Sequence, residues 1–503
     1  MPKRLSFPHP YFSSRPGWRW FILVTVLIGA TMSALDVSIV NIAMPTLKTD
    51  FNVSLALIEW VAIAYMLTLT IFLPLFGRLA DMYGRSRLYN AGFIVFTIGS
   101  ACCGMAPSAH FMVGSRILQA VGAGLLQANS IAIITAAFPS DERGKALGIQ
   151  GAVQAVAMSI GPFIGGVLIA AIGWRTIFYI NVPIGILGTL AALFILPRDE
   201  LKKQKEKVDY IGAAFFSCGL LFLVLALNEV VRLGLTSTRI ILYFGLAVVL
   251  LGLFVITERK VEYPLVDLEM FRRFTFSAGN LTGMLSYYVL FAIMFLIPFY
   301  LERVVGYSVT LTGSLLVPIP LAMAVVAPWA GSVSDRRGPR LMTTAGMLLC
   351  ALACFMLMLL GESSHFYTLL GILIVLGIGM GLFTPPNNSA IMGAVPKDKL
   401  SVAGGLLNMM RSLGLIFGVD ISGLIFTSLE DKYIVETGFY NVRHIFHNRL
   451  IPVSVKDKAF MKGYLSVLGV LVALALFSAF LSALRNEMPD EEAIAESKKL
   501  GGG

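Results

Sequence analysis

Charge is scarce in this chain. Asp, Glu, Lys and Arg make up 14% of its 503 residues, where soluble proteins carry about a quarter, and that shortfall excludes a water-soluble globular fold. Histidine and cysteine are scarcer still, with five of each. Cys102, Cys103, Cys218, Cys350 and Cys354 all fall inside apolar runs, as small apolar side chains do, which argues against a disulfide framework or a cysteine metal site. His444 and His447 have H-x-x-H spacing without further ligands, so no metal is expected. There is no Gly-rich phosphate loop, nucleophile–base set or sizeable soluble stretch. Neither an enzyme nor a bound cofactor is expected.

What the chain does have is apolar length. Hydrophobic residues reach 57%, gathered in runs of about 17 to 25, long enough to cross a ~30 Å hydrocarbon core as helices. The pattern predicts an all-α polytopic membrane protein with about fourteen spans. A tail (1–19) leads into six spans (20–196). Charged linkers and two inserted spans follow (197–273), then six more (274–484) with a long external loop at 430–462, and a second tail (485–503). The first run, Trp20–Met44, is too long for a cleaved signal and is expected to stay in the membrane.

The net charge of +10 does not point to nucleic acid, because Lys and Arg concentrate in alternate short loops. With the N-terminus inside, roughly 26 of the 39 Lys and Arg lie on the cytoplasmic side and roughly 11 outside. Both termini are therefore expected in the cytoplasm, and the chain in the cytoplasmic membrane as a multi-pass protein.

An internal repeat sets the architecture. "GRLADMYGRSR" (77–87) recurs as "GSVSDRRGPR" (331–340), with Gly77, Asp81 and Gly84 matching Gly331, Asp335 and Gly338 at one offset of 254 residues. Each copy follows the second span of a six-span block. Parallel halves of this kind place a substrate site between them near mid-membrane.

The order of motifs resembles the major facilitator superfamily, and more closely its fourteen-span drug:proton antiporter branch, over nearly the whole chain. "LDVSIVNIAMP" (35–45) is similar to the first-helix motif, with Asp36, Asn41 and Pro45. "GRLADMYGRSR" is similar to the loop signature. "RILQAVGAG" (116–124) resembles the fourth-helix motif, with Arg116 and Gln119. "AVAMSIGPFIGG" (155–166) resembles the fifth-helix antiporter motif, with Gly161, Pro162, Gly165 and Gly166. "GWRTIFYINVPIG" (173–185) is close to a stretch common in the branch. The resemblance implies a 6+2+6 helical transporter of amphipathic or cationic compounds, coupled to protons, embedded in the lipid bilayer and acting as a monomer.

The candidate chemistry centres on acids inside spans, which are costly in lipid and should face a partner or cavity. Asp36 lies about 24 Å from the inner end of its span and Arg116 about 8 Å below the outer surface, so a pair is feasible, with Gln119 on the same helical face as Arg116. A static ion pair between two helices competes with proton binding by Asp36. Asp420 lies about 25 Å from the inner end of its helix, in the opposite half, where the family usually has a small apolar residue. Arg411, nine residues earlier, faces the other way. Asp420 is a candidate second proton site or anchor for cationic cargo. Asp36, Asn41, Gln119, Asp420 and Glu302 are the candidate cavity residues, although Glu302 also fits a solvated helix end.

The resemblance assigns Gly77, Arg78, Asp81, Gly84 and Arg85, with Asp335 and Arg337 in the repeat copy, to a latch on the cytoplasmic side. Asp141 and Glu142 are candidate partners for its arginines. Gly161, Pro162, Gly165 and Gly166 are expected to form a tight seam between halves. Met284 and Phe291 are candidates for an apolar pocket, with packing the simpler role. An exporter or flippase of lipids or fatty acids fits the same fold. Proton-coupled peptide uptake lacks its acid-rich first-helix signature here.

Overall fold

The structure is a computed structural model, and it describes residues 17–485 except 54, 198–208, 235, 262–263, 361–364 and 438–452. His444 and His447 lie outside the described residues, as do most of the two tails. The described residues are helical, as a hydrocarbon environment demands when every backbone amide must find an internal partner. The first block holds α1 (Trp18–Asp50), α2 (Leu55–Tyr83), α3 (Arg85–Gly104), α4 (Ala109–Ala137), α5 (Ser140–Ala171), α6 (Thr176–Tyr179) and α7 (Asn181–Ile195). The inserted pair is α8 (Tyr210–Leu233) and α9 (Thr238–Glu258). The second block holds α10 (Phe274–Arg303), α11 (Val309–Leu316), α12 (Pro318–Arg337), α13 (Pro339–Met358), α14 (Phe366–Gly393), α15 (Leu400–Glu436) and α16 (Val453–Ala483).

By length and composition, 13 helical stretches of the described residues can cross a membrane. The fourteenth is α3, whose 20 residues rise ~30 Å. Its first turns carry Arg85, Arg87 and Asn90, which lowers its hydropathy. Two expected spans are interrupted. One breaks at Ile180 between α6 and α7, the other at Val317 between α11 and α12, where Pro318 and Pro320 offer no amide donors.

The long external loop expected at 430–462 is a helical hairpin at both its edges. The helix α15 continues to Glu436 and α16 begins at Val453, and only 438–452 lie outside the described residues. Ile434 and Ala459, both buried, give the hairpin a small core of its own. Ion pairs from Arg303 to Glu430 (3.2 Å) and from Lys462 to Glu436 (3.4 Å) fasten it. Polar side chains at one helix end do not stop a helix that a neighbour can still pack.

Within the first block α3 lies along α4 and α7, and α1 along α5. Tyr89, Phe93 and Phe96 of α3 fill its core. In the second block Tyr300 of α10 and Tyr464 of α16 stack at 4.9 Å inside a separate core. The blocks meet through swapped equivalents. The second span of one half packs on the fifth of the other: α2 on α15, and α12 on α5. The inserted α8 touches both α2 and α15.

Candidate functional site

The acid of α1 is sealed. Asp36 is fully buried, as are Arg116, Gln119, Ser100 and Asn181. Arg116 Nη1 donates to Asp36 Oδ2 at 2.6 Å and to Gln119 Oε1 at 2.6 Å. Gln119 Nε2 donates to Asp36 Oδ1 at 2.8 Å and Asn181 Nδ2 donates to the same oxygen at 3.4 Å. Around this, Arg116 Nε donates to the Val61 carbonyl at 3.1 Å, and the guanidinium lies 4.1 Å over the Tyr65 ring. Ser100 Oγ accepts from Gln119 (3.2 Å) and Asn181 (3.1 Å) and donates to the Phe178 carbonyl (2.9 Å). Five helices thus converge on one carboxylate that accepts only. A charge pair so enclosed is held by its hydrogen bonds, because each lost one would carry its own desolvation cost, while Tyr65 Oη and Asn181 Oδ1 at its edge have no partner among the described residues.

The acid of α15 is the opposite case. Asp420 is half-buried, and its Oδ2 is enclosed with no hydrogen-bond partner among the described residues. Asp420 falls within about 20° of Val402, Met409 and Leu413 around the helix, the line of α15 that joins the first half's core. It stands ~30 Å above the start of α15, and Asp36 ~27 Å above the start of α1. The two acids therefore lie at similar depth in opposite halves.

At the basic end the halves are locked by the repeat. Asp81 accepts from the backbone amides of Ser401 (3.2 Å) and Val402 (3.0 Å), at the first turn of α15. Asp335 accepts from those of Gly144 (2.8 Å) and Lys145 (3.0 Å), in the second turn of α5. Asp81 caps free N–H groups at the start of α15, and both acids sit at the positive dipole end of a helix in the other half. Arg85 holds Asp81 (2.9 Å) and the Ser401 hydroxyl (2.8 Å). The glycines of the repeat have two reasons. Gly84 and Gly338 turn the chain at φ 105° and 80°, where a side chain is strained. A Cβ on Gly77 would stand 2.4 Å from the Ser401 carbonyl oxygen, and one on Gly331 2.1 Å from that of Gly144.

Comparison with known proteins decides the family. The profile of the Major Facilitator Superfamily matches residues 26–419. The chain belongs to this superfamily. Riboflavin transporter RibZ of Clostridioides difficile (strain 630) is 35% identical over 457 residues, covering 91% of this chain and 97% of that protein. Multidrug transporter protein MdtP of Bacillus subtilis (strain 168) is 30% identical over 421 residues, covering 83% and 77%. The crystal structure of the human organic anion transporter MFSD10 shares the fold at TM-score 0.64 and 14% identity, covering 93% of this chain and all of that one. The protein is a multi-pass facilitator-superfamily transporter whose relatives are transporters rather than enzymes.

In this transporter several expected placements change. Asp36 and Gln119 turn into the first half's interior and do not line an opening, because Arg116 and Asn181 supply nearer partners than water could. Glu302 is exposed on the last turn of α10, and its neighbour Arg303 takes the ion pairs. The glycine seam lies within the first half, not between halves. A Cβ on Gly161 would meet Ser38 Oγ at 1.9 Å and one on Gly165 would meet Ile39 at 2.6 Å, both on α1, whereas Gly166 has nothing within 4 Å. The side chains of Asn41 and Pro162 are outside the described residues. Glu142 pairs with Arg19 at 3.0 Å, and Arg337 is exposed.

Two groups escaped sequence reading. Asn181 stands in the quoted "YINVPIG", yet only the break between α6 and α7 turns it onto Asp36. Arg485, past the end of α16, is buried against Asn387 Oδ1 (2.6 Å) and Thr282. Burial alone pulls its guanidinium down to about 10. Its position beside a charged tail gave no signal.

Proposed function

We propose that this transporter exports amphipathic or cationic small molecules across the cytoplasmic membrane by alternating access, driven by inward proton flow. In this reading it acts as a monomer with both termini and the locked basic end in the cytoplasm. The observation that carries the proposal is the pairing of unlike acids at one depth, Asp36 fully satisfied and Asp420 with an unmet oxygen. Asp36 gives up its partners only if Arg116 moves, so proton binding there is tied to a rearrangement of α1 against α4. Asp420 is free to meet a cation or proton from the space between the halves. Competition of proton and cargo for such acids gives exchange, since each favours a different conformation. A relative named as a multidrug transporter, MdtP, supports the cargo class.

A planar aromatic cargo is the second reading. RibZ is named for riboflavin, and on α10 Tyr287 and Phe291 stack at 6.2 Å with the Arg411 guanidinium 5.3 Å over the Tyr287 ring. Such faces suit flat conjugated rings. The deciding experiment is transport in proteoliposomes under an imposed pH gradient, with a panel of an organic cation, a neutral drug, riboflavin and a lipid. Gradient-driven movement of the cation is expected. Movement of lipid alone, or movement of any cargo indifferent to the gradient, would sink the proposal.

A further inference from the structure

The mechanism above does not use the inserted helices, yet they hold a pair of acids with unmet bonds. Glu258 ends α9 and is 4% exposed. Its Oε1 accepts the Val266 amide, which folds the returning linker back against the basic end. Its Oε2 has no partner among the described residues. Asp209 caps α8 through Oδ1, which accepts the Gly212 amide at 2.9 Å, and its Oδ2 is likewise unmet. The two unmet oxygens point at one spot. A Cβ on Gly212 would lie 2.1 Å from Asp209 Oδ2 and 3.2 Å from Glu258 Oε2.

Two carboxylates in one enclosed place cannot both remain ionised without cost, and each is short of a donor. One proton between them cures both defects. A metal ion would need more ligands, and among the described residues no third His, Cys, Asp or Glu joins the pair. The charged group that faces Glu258 from α2 is Arg78. From the linker, Glu258 meets the Leu265 and Val266 amides.

We propose that Asp209 and Glu258 bind one proton between them at the basic end, forming a clasp that fastens the inserted pair and its linker across the two halves. The clasp spans a junction that must loosen for the basic end to open. The helix α8 packs on both α2 and α15, and Leu265 and Val266 are buried in the core that α2 and α15 share. Loss of the proton leaves two facing carboxylates and weakens the clasp. The pH on the basic side would thereby tune opening, independently of Asp36 and Asp420.

The test uses the purified full-length protein. Thermal unfolding is followed from about pH 6 to about pH 9, where a proton held by the native state but not by the unfolded chain makes stability fall as pH rises. Glu258→Gln keeps the shared hydrogen and is expected to flatten that fall, while Asp209→Asn, which keeps α8 capped, is expected to flatten it too. Infrared spectra at neutral pH are expected to lose one protonated-carboxyl band in both variants. Gly212→Ala, wedged between the acids, should shift the same band. An unchanged pH profile and unchanged band in both acid variants would overturn the proposal. So would a profile erased by a chelator and restored by magnesium, since the ligand would then be a cation.

Discussion

Asp36→Asn should unfold the transporter more easily, for a reason that lies in its partner. Asparagine can keep one oxygen toward Gln119 and Asn181, but its amide nitrogen must then face Arg116 Nη1, which stands 2.6 Å from the present oxygen. Turning the amide over moves the donor clash to Gln119 at 2.8 Å. Either way Arg116, 1% exposed, loses its counter-charge. Leaving one member of a buried pair alone costs about 3–5 kcal/mol, and a charged hydrogen bond accounts for about 1.5–3 kcal/mol of that. Removing the stranded charge as well, in Asp36→Asn with Arg116→Met, should recover most of the loss, since a buried pair replaced as a unit is near neutral. Unfolding of the purified single and double variants measures both steps, and proteoliposome uptake under a pH gradient measures function. Both variants are expected to lose gradient-driven transport, although only the single one is unstable. If the double variant proves no more stable than Asp36→Asn, the stranded arginine is not the cause and the reasoning fails. Full transport by Asp36→Asn would end its role as proton carrier.

Three further outcomes follow from the geometry. Asp81→Asn and Asp335→Asn each remove a charge from the N-terminal end of a helix in the other half, worth about 1–2 kcal/mol, so the double variant should expose the basic end more than either alone. Labelling of single cysteines there by an impermeant thiol reagent reads this, and equal labelling in all forms would count against a two-sided latch. Asp420→Ala should cut transport of cations at least tenfold while sparing neutral cargo, and equal losses exclude an anchor role. Burial alone would raise the pKa of Asp267, but the Lys399 ammonium and the Glu269 amide bring it below the usual carboxylate value. Its bond to Lys399 therefore stabilises the fold above the unfolded value and is lost as pH falls. Asp267→Asn should lower the unfolding midpoint at neutral pH, with the gap starting to close near pH ~4 and closing fully only below the lowered folded value. A constant gap at every pH would refute that linkage.

The limits of sequence reading fall at definite residues. The pairing of Asp36 with Arg116 was accessible because two depths along straight helices can be compared by rise alone. The direction in which Asp36 turns was not, since α1 meets α3, α4, α5 and α7 at once and rotation is set by packing. The seam of Gly161 and Gly165 was misplaced for the same reason, because small residues announce a close approach without naming the neighbour. The helical edges of the 430–462 stretch gave no sign in the sequence because their stabilising contacts, Ile434 with Ala459 and Glu436 with Lys462, join separate helices. Glu258 and Asp209 gave no sign of each other across two apolar spans.

The amino-acid sequence by itself determined the number and order of the spans, the two related halves and the motif glycines. A hydrocarbon core fixes how long an apolar run must be and requires its backbone bonds to close locally, so these properties are written along the chain. Only the tertiary structure decided which groups meet. Asn181 reaches Asp36 from 145 residues away, and the amide that Asp81 caps is 320 residues distant. Contacts of that range depend on how helices rotate and cross, which is settled by all their neighbours together and has no local pattern to read.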